Sequence, residues 1–327
     1  MVRFIYSKLR LLYGRAADSG KKAIWNIRAN RLYFTTLLLK RCYYGPFTGE
    51  FGHLLGHNLP FIAHLHSKGV KVDFCGMEIH RPFFADENGN EIVSSYLPLR
   101  DFFGESAPDC NKADEPEDIN TVTARFVNKA KKSFLPYWNN EDHHYYFYFF
   151  RWWVLKHHYT KVYNLSRIYK TEEINSVVIF PRKLNEKYDI PSQLKNNGLE
   201  WDYHEVARIA SRHFEKVYVI GHPVFSSVDF GSFDNVEVCL TNDNRVILEK
   251  CCNSKLIVSQ HSGSVYLGDY TDCPTLIIYN GGKEIGDIET TKKFKDGLGK
   301  KYDFNYAFSY PEIEVFFKKM NHEKIRN

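Results

Sequence analysis

Two rhythms of apolar and polar positions run along this chain, and the change from one to the other marks its elements. Residues 31–44 end as a strand, and Gly45 to Gly52 reads as a glycine-punctuated turn. His53 to Ser67 then carries Leu54, Leu55, Leu59, Ile62 and Leu65 at helical spacing. Pro60 falls inside that helix and predicts a kink or a late start, because its ring removes a donor and crowds the preceding turn. Gly69 closes the helix, and Val70 to Cys75 is the next strand. The N-terminal half therefore opens with a βαβ unit. Asp86 to Glu91 lies between apolar runs as a hairpin turn. Residues 104–120 are acidic and rich in Pro, Asp and Asn, which predicts a surface loop, and Thr121 to Lys132 reads as a helix. His143 to Trp153 is too dense in aromatics for an exposed face. It predicts a buried helix or strand, with an aromatic acceptor platform as the alternative.

The texture changes near Glu172. Ser176–Phe180 is a β-branched strand, and Asp202 with Glu205 forms a capping box for a helix that turns Val206, Ile209, Ala210 and Phe214 inward. Val217–Gly221 is a strand ending in His222-Pro223, and Val236–Leu240 is another. Asn244–Cys252 is a helix, Leu256–Ser259 a strand, and Pro274–Tyr279 a strand after a short helix. This alternation predicts a second open, mainly parallel sheet. The fold expected is α/β, with two Rossmann-like domains facing each other across a cleft. The expected division is a basic leader (1–30), an N-terminal acceptor domain (31–170), a C-terminal nucleotide-sugar domain (171–310), and a C-terminal helix (311–327) returning to the N-terminal lobe.

A length of 327 residues, 43% of them hydrophobic and 25% charged, suits two folded domains. The net charge of +5 conceals an asymmetry: residues 1–41 hold ten Lys/Arg against the single acid Asp18, so the remainder is net negative. With Phe4, Ile5, Leu9, Leu11, Leu12 and Tyr13, this leader fits an anionic membrane surface as well as a solvated helix. Nucleic acid fits poorly, since the basic residues do not continue into the body. No run approaches the ~20 apolar residues of a membrane span. Seven scattered cysteines without a CxxC pair indicate reduced thiols and a cytoplasmic location, peripheral on a membrane if the leader binds one, with Cys251 and Cys252 as packing residues. No metal site is expected. The Asp86 loop lacks the later ligands of a calcium loop, and His143, His144, His157 and His158 are adjacent pairs, not a convergent set.

The sharpest chemistry lies at Leu256 to Gly268, where a strand stops at His261-Ser262-Gly263-Ser264 and a short helix follows. Free N–H groups at a helix start attract an anionic oxygen, and small residues let a phosphate reach the backbone. This turn is the first candidate for a nucleoside diphosphate. Other strand ends on the same edge are Pro181-Arg182-Lys183, Gly221-His222-Pro223 and Cys239-Leu240-Thr241. Arg182 and Lys183 would neutralise the diphosphate, the guanidinium bidentately. Glu249, on the helix just before the Leu256–Ser259 strand, is a candidate for ribose hydroxyls. In the N-terminal half, Glu50 and His53 flank the turn into the first helix and are the available general bases for a sugar hydroxyl.

Gly49-Glu50-Phe51-Gly52 before a Leu/Pro-containing helix, Phe180-Pro-Arg-Lys183, and Gln260-His-Ser-Gly-Ser264 together resemble GT-B glycosyltransferases, in particular the ADP-heptose:lipopolysaccharide heptosyltransferase type and its uncharacterised relatives. The resemblance implies an inverting, metal-independent transferase with no cofactor beyond its nucleotide-sugar substrate. It implies a glycan or glycoconjugate acceptor, Glu50 as base, and a donor contact at His261, Ser262 and Gly263. The chain departs from the family in having Glu where Asp is common, and in its basic leader and aromatic block. A nucleotide-sugar epimerase of the same architecture and a non-catalytic carbohydrate- or membrane-binding protein remain as alternatives.

Overall fold

The computed structural model describes residues 27, 30–45, 47, 51–98, 145–146, 160–181, 201–223, 226, 233–260, 262–279 and 305–322. They build two sheets in which every strand pairs in parallel, one of four strands and one of six. The expected loop at 104–120 and helix at 121–132 lie outside the described residues.

In the N-terminal sheet β1 (Arg41–Tyr44), β2 (Lys71–Gly76), β3 (Ser95–Pro98) and β4 (Tyr145–Tyr146) take the order β3-β2-β1-β4. The described part of the aromatic block thus enters the sheet as an edge strand beside β1. Helix α1 (residues 30–39) leads into β1. The next helix starts earlier than its sequence pattern indicates and is not uniform. It comprises α2 (Phe51–His53), a π-helical stretch (Leu54–Asn58) and α3 (Leu59–Ser67). Pro60 lies in the first turn of α3, where a missing N–H costs nothing. The widened stretch before it is how the chain accommodates the ring. Gly69 ends α3 at φ 71, the left-handed region that glycine enters freely. Across β1, β2 and β3 the buried Asp73 accepts hydrogen bonds from Arg41 (2.9 Å) and Ser95 (2.6 Å), so its carboxylate leaves water already partnered. The Asp86 hairpin turn forms as expected, with Ala85 bridging Glu91 and the Asp86 carboxylate accepting the Asn88 and Asn90 N–H groups.

The C-terminal sheet contains β5 (Ser176–Phe180), β6 (Lys216–Gly221), β7 (Val236–Leu240), β8 (Leu256–Ser259), β9 (Thr275–Ile278) and β10 (Asn305–Ala307). Their order is β10-β9-β8-β5-β6-β7. The chain winds from β5 to one side and, after β7, from β8 to the other, so the strand order reverses between β5 and β8. Helices α4 (Ser166–Tyr169), α5 (Tyr203–Ser211), α6 (Asn244–Asn253), α7 (Leu267–Thr271) and α8 (Tyr310–His322) complete it. Val206, Ile209, Ala210 and Phe214 are buried as the periodicity requires, each apolar side chain contributing roughly 1.5–3 kcal/mol when it is of Val, Ile or Phe size.

Two expectations are corrected. The capping box at α5 is only half made: Asp202 accepts the His204 N–H, but Glu205 turns to Arg208 and Tyr310 takes the Asp202 N–H. The last helix does not return to the N-terminal lobe. Ile313 and Phe317 of α8 pack into the C-terminal core beside Val206 and Ala210 of α5, Phe317 edge-on to Phe214 (5.2 Å), because their apolar face completes the cluster that α5 begins.

Candidate functional site

The register of the six-stranded sheet brings its carboxyl ends to one level. Ser259 of β8 pairs with Phe180 of β5, and Gly221 of β6 pairs with Leu240 of β7. The turns after β5 and β8 therefore leave the sheet side by side at the point where strand order reverses, the crevice in which open α/β sheets hold ligands. Gln260 is buried, and its side-chain oxygen accepts the Tyr203 hydroxyl, which anchors the start of the turn to α5.

Beyond Gln260 three serines share an ordered array. Ser259 Oγ donates to the Gln260 carbonyl (2.7 Å) and lies 2.6 Å from Ser264 Oγ, which lies 2.7 Å from Ser262 Oγ. A hydroxyl has one proton to give. With that of Ser259 committed to Gln260, Ser264 donates to Ser259 and Ser262 donates to Ser264. Ser264 is buried and braces the turn, whereas Ser262, at the outer end, can rotate its proton toward an arriving anion. Ser262 is extended (φ −149) and starts the helical run of Gly263–Tyr266 and Leu267–Thr271. Like any helix start, that run has first amides without an intrahelical partner.

The N-terminal sheet meets the C-terminal one at this turn. A Cβ on Gly263 would stand 2.6 Å from Gly52 N and 3.2 Å from Phe51 Cδ1, and one on Gly56 would stand 2.9 Å from the Tyr266 ring. Only glycine permits backbones to approach so closely. Hydrogen bonds fasten the contact: the Tyr270 hydroxyl to the Leu55 carbonyl (2.6 Å) and the Asn244 side-chain amide to the Ile79 carbonyl (2.6 Å). A single apolar cluster joins Leu54, Leu55 and Phe83 of the first half to Leu248, Leu267 and Tyr270 of the second. At Gly52 and Gly263 the halves touch. Room for a ligand therefore lies beside this junction, not through it.

Two histidines stand at strand ends with their charge suppressed. His80 follows β2, stacks on Phe51 (centroids 5.8 Å apart) and has no hydrogen-bond partner at Nδ1; burial pushes its pKa down to about 4. His222, after β6, donates its backbone N–H to Ser226 Oγ (2.8 Å), and burial lowers its imidazole to about 4. Burial therefore keeps both neutral near pH 7. The unfolded chain, with His near 6.5, binds protons that the folded chain refuses until about pH 4. Stability is therefore full above roughly pH 6.5 and falls as pH drops toward 4. For fully buried His80 the loss at about pH 5 is roughly 2 kcal/mol relative to neutral pH. Urea denaturation at the two pH values should show the His80→Leu variant losing less stability on acidification than the parent; equal losses would remove His80 as the cause.

The candidates from the sequence divide as follows. Ser262, Gly263, Ser264, Gly221, His222 and Pro223 all stand at the aligned strand ends. Glu249 is exposed midway along α6, about 7.5 Å further along the helix axis than Asn244, which touches the N-terminal half. Glu50, Arg182, Lys183 and His261 lie outside the described residues, as does the side chain of His53, whose backbone belongs to the first helical turn. Sequence reasoning missed His80, Asn244, Ser259 and the Gly52–Gly263 contact. For the last of these a local cue existed in the Gly52-x-x-x-Gly56 spacing, which places two small residues on one helical face. Among the described residues no three His, Cys, Asp or Glu side chains converge as metal ligands, and no helix is long and apolar enough to cross a membrane.

No protein-family model matches the chain, and no curated protein matches its sequence. Solved structures do match. E. coli heptosyltransferase WaaC with ADP superposes with a TM-score of 0.50 at 12% identity, over 86% of this chain and 99% of that one. E. coli ADP-heptose lps heptosyltransferase II gives 0.48 at 10% identity, over 87% and 99%. The likeness to the first is one of fold, and this chain has the α/β architecture of two Rossmann-like domains found in GT-B glycosyltransferases.

Proposed function

We propose that the chain transfers a sugar from a nucleotide-sugar donor to a hydroxyl of a glycan or glycoconjugate, by single displacement with inversion and without a catalytic metal. The observation that carries this reading is the contact of Gly263, in the donor-type turn, with Phe51 and Gly52, the residues that follow Glu50. The start of the helix that follows Glu50 in sequence is thereby packed against the turn that would hold the leaving group. In this reading the Glu50 carboxylate takes the proton of the acceptor hydroxyl while its oxygen bonds to the anomeric carbon. The bond from that carbon to the phosphate oxygen breaks, and the nucleoside diphosphate leaves with the electron pair. Arg182, Lys183 and the first amides after Ser262 offset the charge that develops on it. His53 orients the acceptor, His261, Gly221, His222 and Pro223 line the donor, and Glu249 is the candidate for ribose. The match to a heptosyltransferase solved with ADP makes an ADP-sugar the first donor to try. No disulfide joins the six described cysteines to one another, which suits a reducing, cytoplasmic setting.

Incubation with a panel of nucleotide sugars tests the reading. One donor should raise the melting temperature and release its nucleoside diphosphate, slowly with water and faster with acceptor. A donor returned as its epimer would make the protein an epimerase instead, and indifference to every donor would refute transferase activity. Arg182→Ala should weaken donor affinity by roughly tenfold to a hundredfold, the worth of a charge-assisted hydrogen-bond pair. Titration calorimetry reads this directly, and unchanged affinity would move the diphosphate away from β5.

A further inference from the structure

Helix α1 has two apolar faces, and among the described residues only one is packed against a core. Tyr33 and Thr36 are buried against the N-terminal core, and the Tyr33 hydroxyl bonds His64 Nε2 (2.9 Å). On the other side Phe34 and Leu38 follow at i and i+4 and are 60% and 80% exposed, and Ile27, ahead of the helix, is 68% exposed. Leu39, 47% exposed, adds to them. Single exposed apolar residues are ordinary, but a ridge of bulky ones along one helix marks an interaction surface. Its surroundings are basic. Arg31 is exposed on the helix, and Lys40, Lys68 and Lys71 gather where the helix meets the sheet, with Lys40 Nζ donating to the Lys68 carbonyl (2.8 Å). No acid occurs in the sequence between Asp18 and Glu50.

We propose that this face of α1 docks the protein on an anionic lipid bilayer, with Ile27, Phe34, Leu38 and Leu39 entering the headgroup boundary and Arg31, Lys40, Lys68 and Lys71 meeting lipid phosphates. Apolar insertion and attraction to anionic headgroups reinforce each other in such helices, and neither suffices alone. The charge of residues 1–41, ten Lys/Arg against one acid, selects lipid over a second copy of the chain, whose matching basic face would repel it. The inference needs no donor site and stands apart from the proposed activity.

Co-sedimentation of the full chain with vesicles tests it without any nucleotide. Binding is expected to phosphatidylcholine vesicles that contain phosphatidylglycerol, not to pure phosphatidylcholine, and should weaken steeply as salt is raised from about 0.1 to about 0.5 M. The double variant Phe34→Ser/Leu38→Ser removes only exposed side chains, so its melting temperature should match the parent while its partition falls by about tenfold or more. Absence of binding to anionic vesicles overturns the proposal. So does equal binding to both vesicle types, or a double variant that binds like the parent. Concentration-dependent dimerisation abolished by the same substitutions, without vesicle binding, would assign the ridge to self-association instead.

Discussion

Glu50→Gln is expected to lower kcat by about 10²–10⁴-fold, the usual worth of a positioned general base, while the donor KM stays near its original value. Glutamine keeps the size and one oxygen of the carboxylate but cannot take a proton. Donor affinity should survive because the diphosphate is assigned to the other half of the molecule, at the reversal point between β5 and β8. Steady-state kinetics with the donor identified by the panel separates the two parameters. A variant with the parent's kcat would take the base role from Glu50, and one with intact kcat but raised KM would make it a binding residue.

Gly263→Ala should be nearly as damaging, for a different reason. The added methyl would stand 2.6 Å from Gly52 N and 3.0 Å from Gly52 Cα. Both atoms are backbone, so neither can swing aside, and the halves must separate by a few tenths of an ångström to about 1 Å. A displacement of that size between reacting groups is enough to cost about a hundredfold in rate, and overpacking of this kind costs about 1–3 kcal/mol in stability. Gly56→Ala meets only the Tyr266 ring at 2.9 Å, a side chain able to shift, and should be the milder of the two. Thermal denaturation and kcat measured on both variants check the order. If Gly263→Ala keeps the parent's rate and melting temperature, the halves do not meet at this glycine in the working enzyme.

The C-terminal sheet was legible because its strands are short, apolar and β-branched and end in turn residues. Ser176–Phe180 and Leu256–Ser259 fall where the pattern puts them. β3, with the sequence Ser-Tyr-Leu-Pro, and β10, with Asn-Tyr-Ala, lack the β-branched apolar run that marks the other strands, and the sequence pattern does not predict them. Pro60 signalled a disturbance in the first helix but not its form, because a π-helical stretch has no composition of its own. The α5 cap shows local chemistry giving way to tertiary contact: Glu205 had a nearer partner in Arg208, and Tyr310 arrived from the distant α8. At the site, the Ser262–Ser264 turn was readable as small residues after a strand. Ser259 was not, since a serine within a buried strand gives no sign of the array it completes. The contact of Asn244 with Ile79, across 165 positions, has no sequence signature at all.

The decisive experiment is a crystal structure with nucleoside diphosphate added at a concentration that saturates binding in titration. Density for the two phosphates should lie within hydrogen-bond reach of Ser262 Oγ and the Gly263 amide, about 3 Å, with the Arg182 guanidinium on the opposite side. Phosphates seated elsewhere, or a nucleotide that neither titrates nor appears in the crystal, would contradict the assignment of the β5–β8 edge as the donor site.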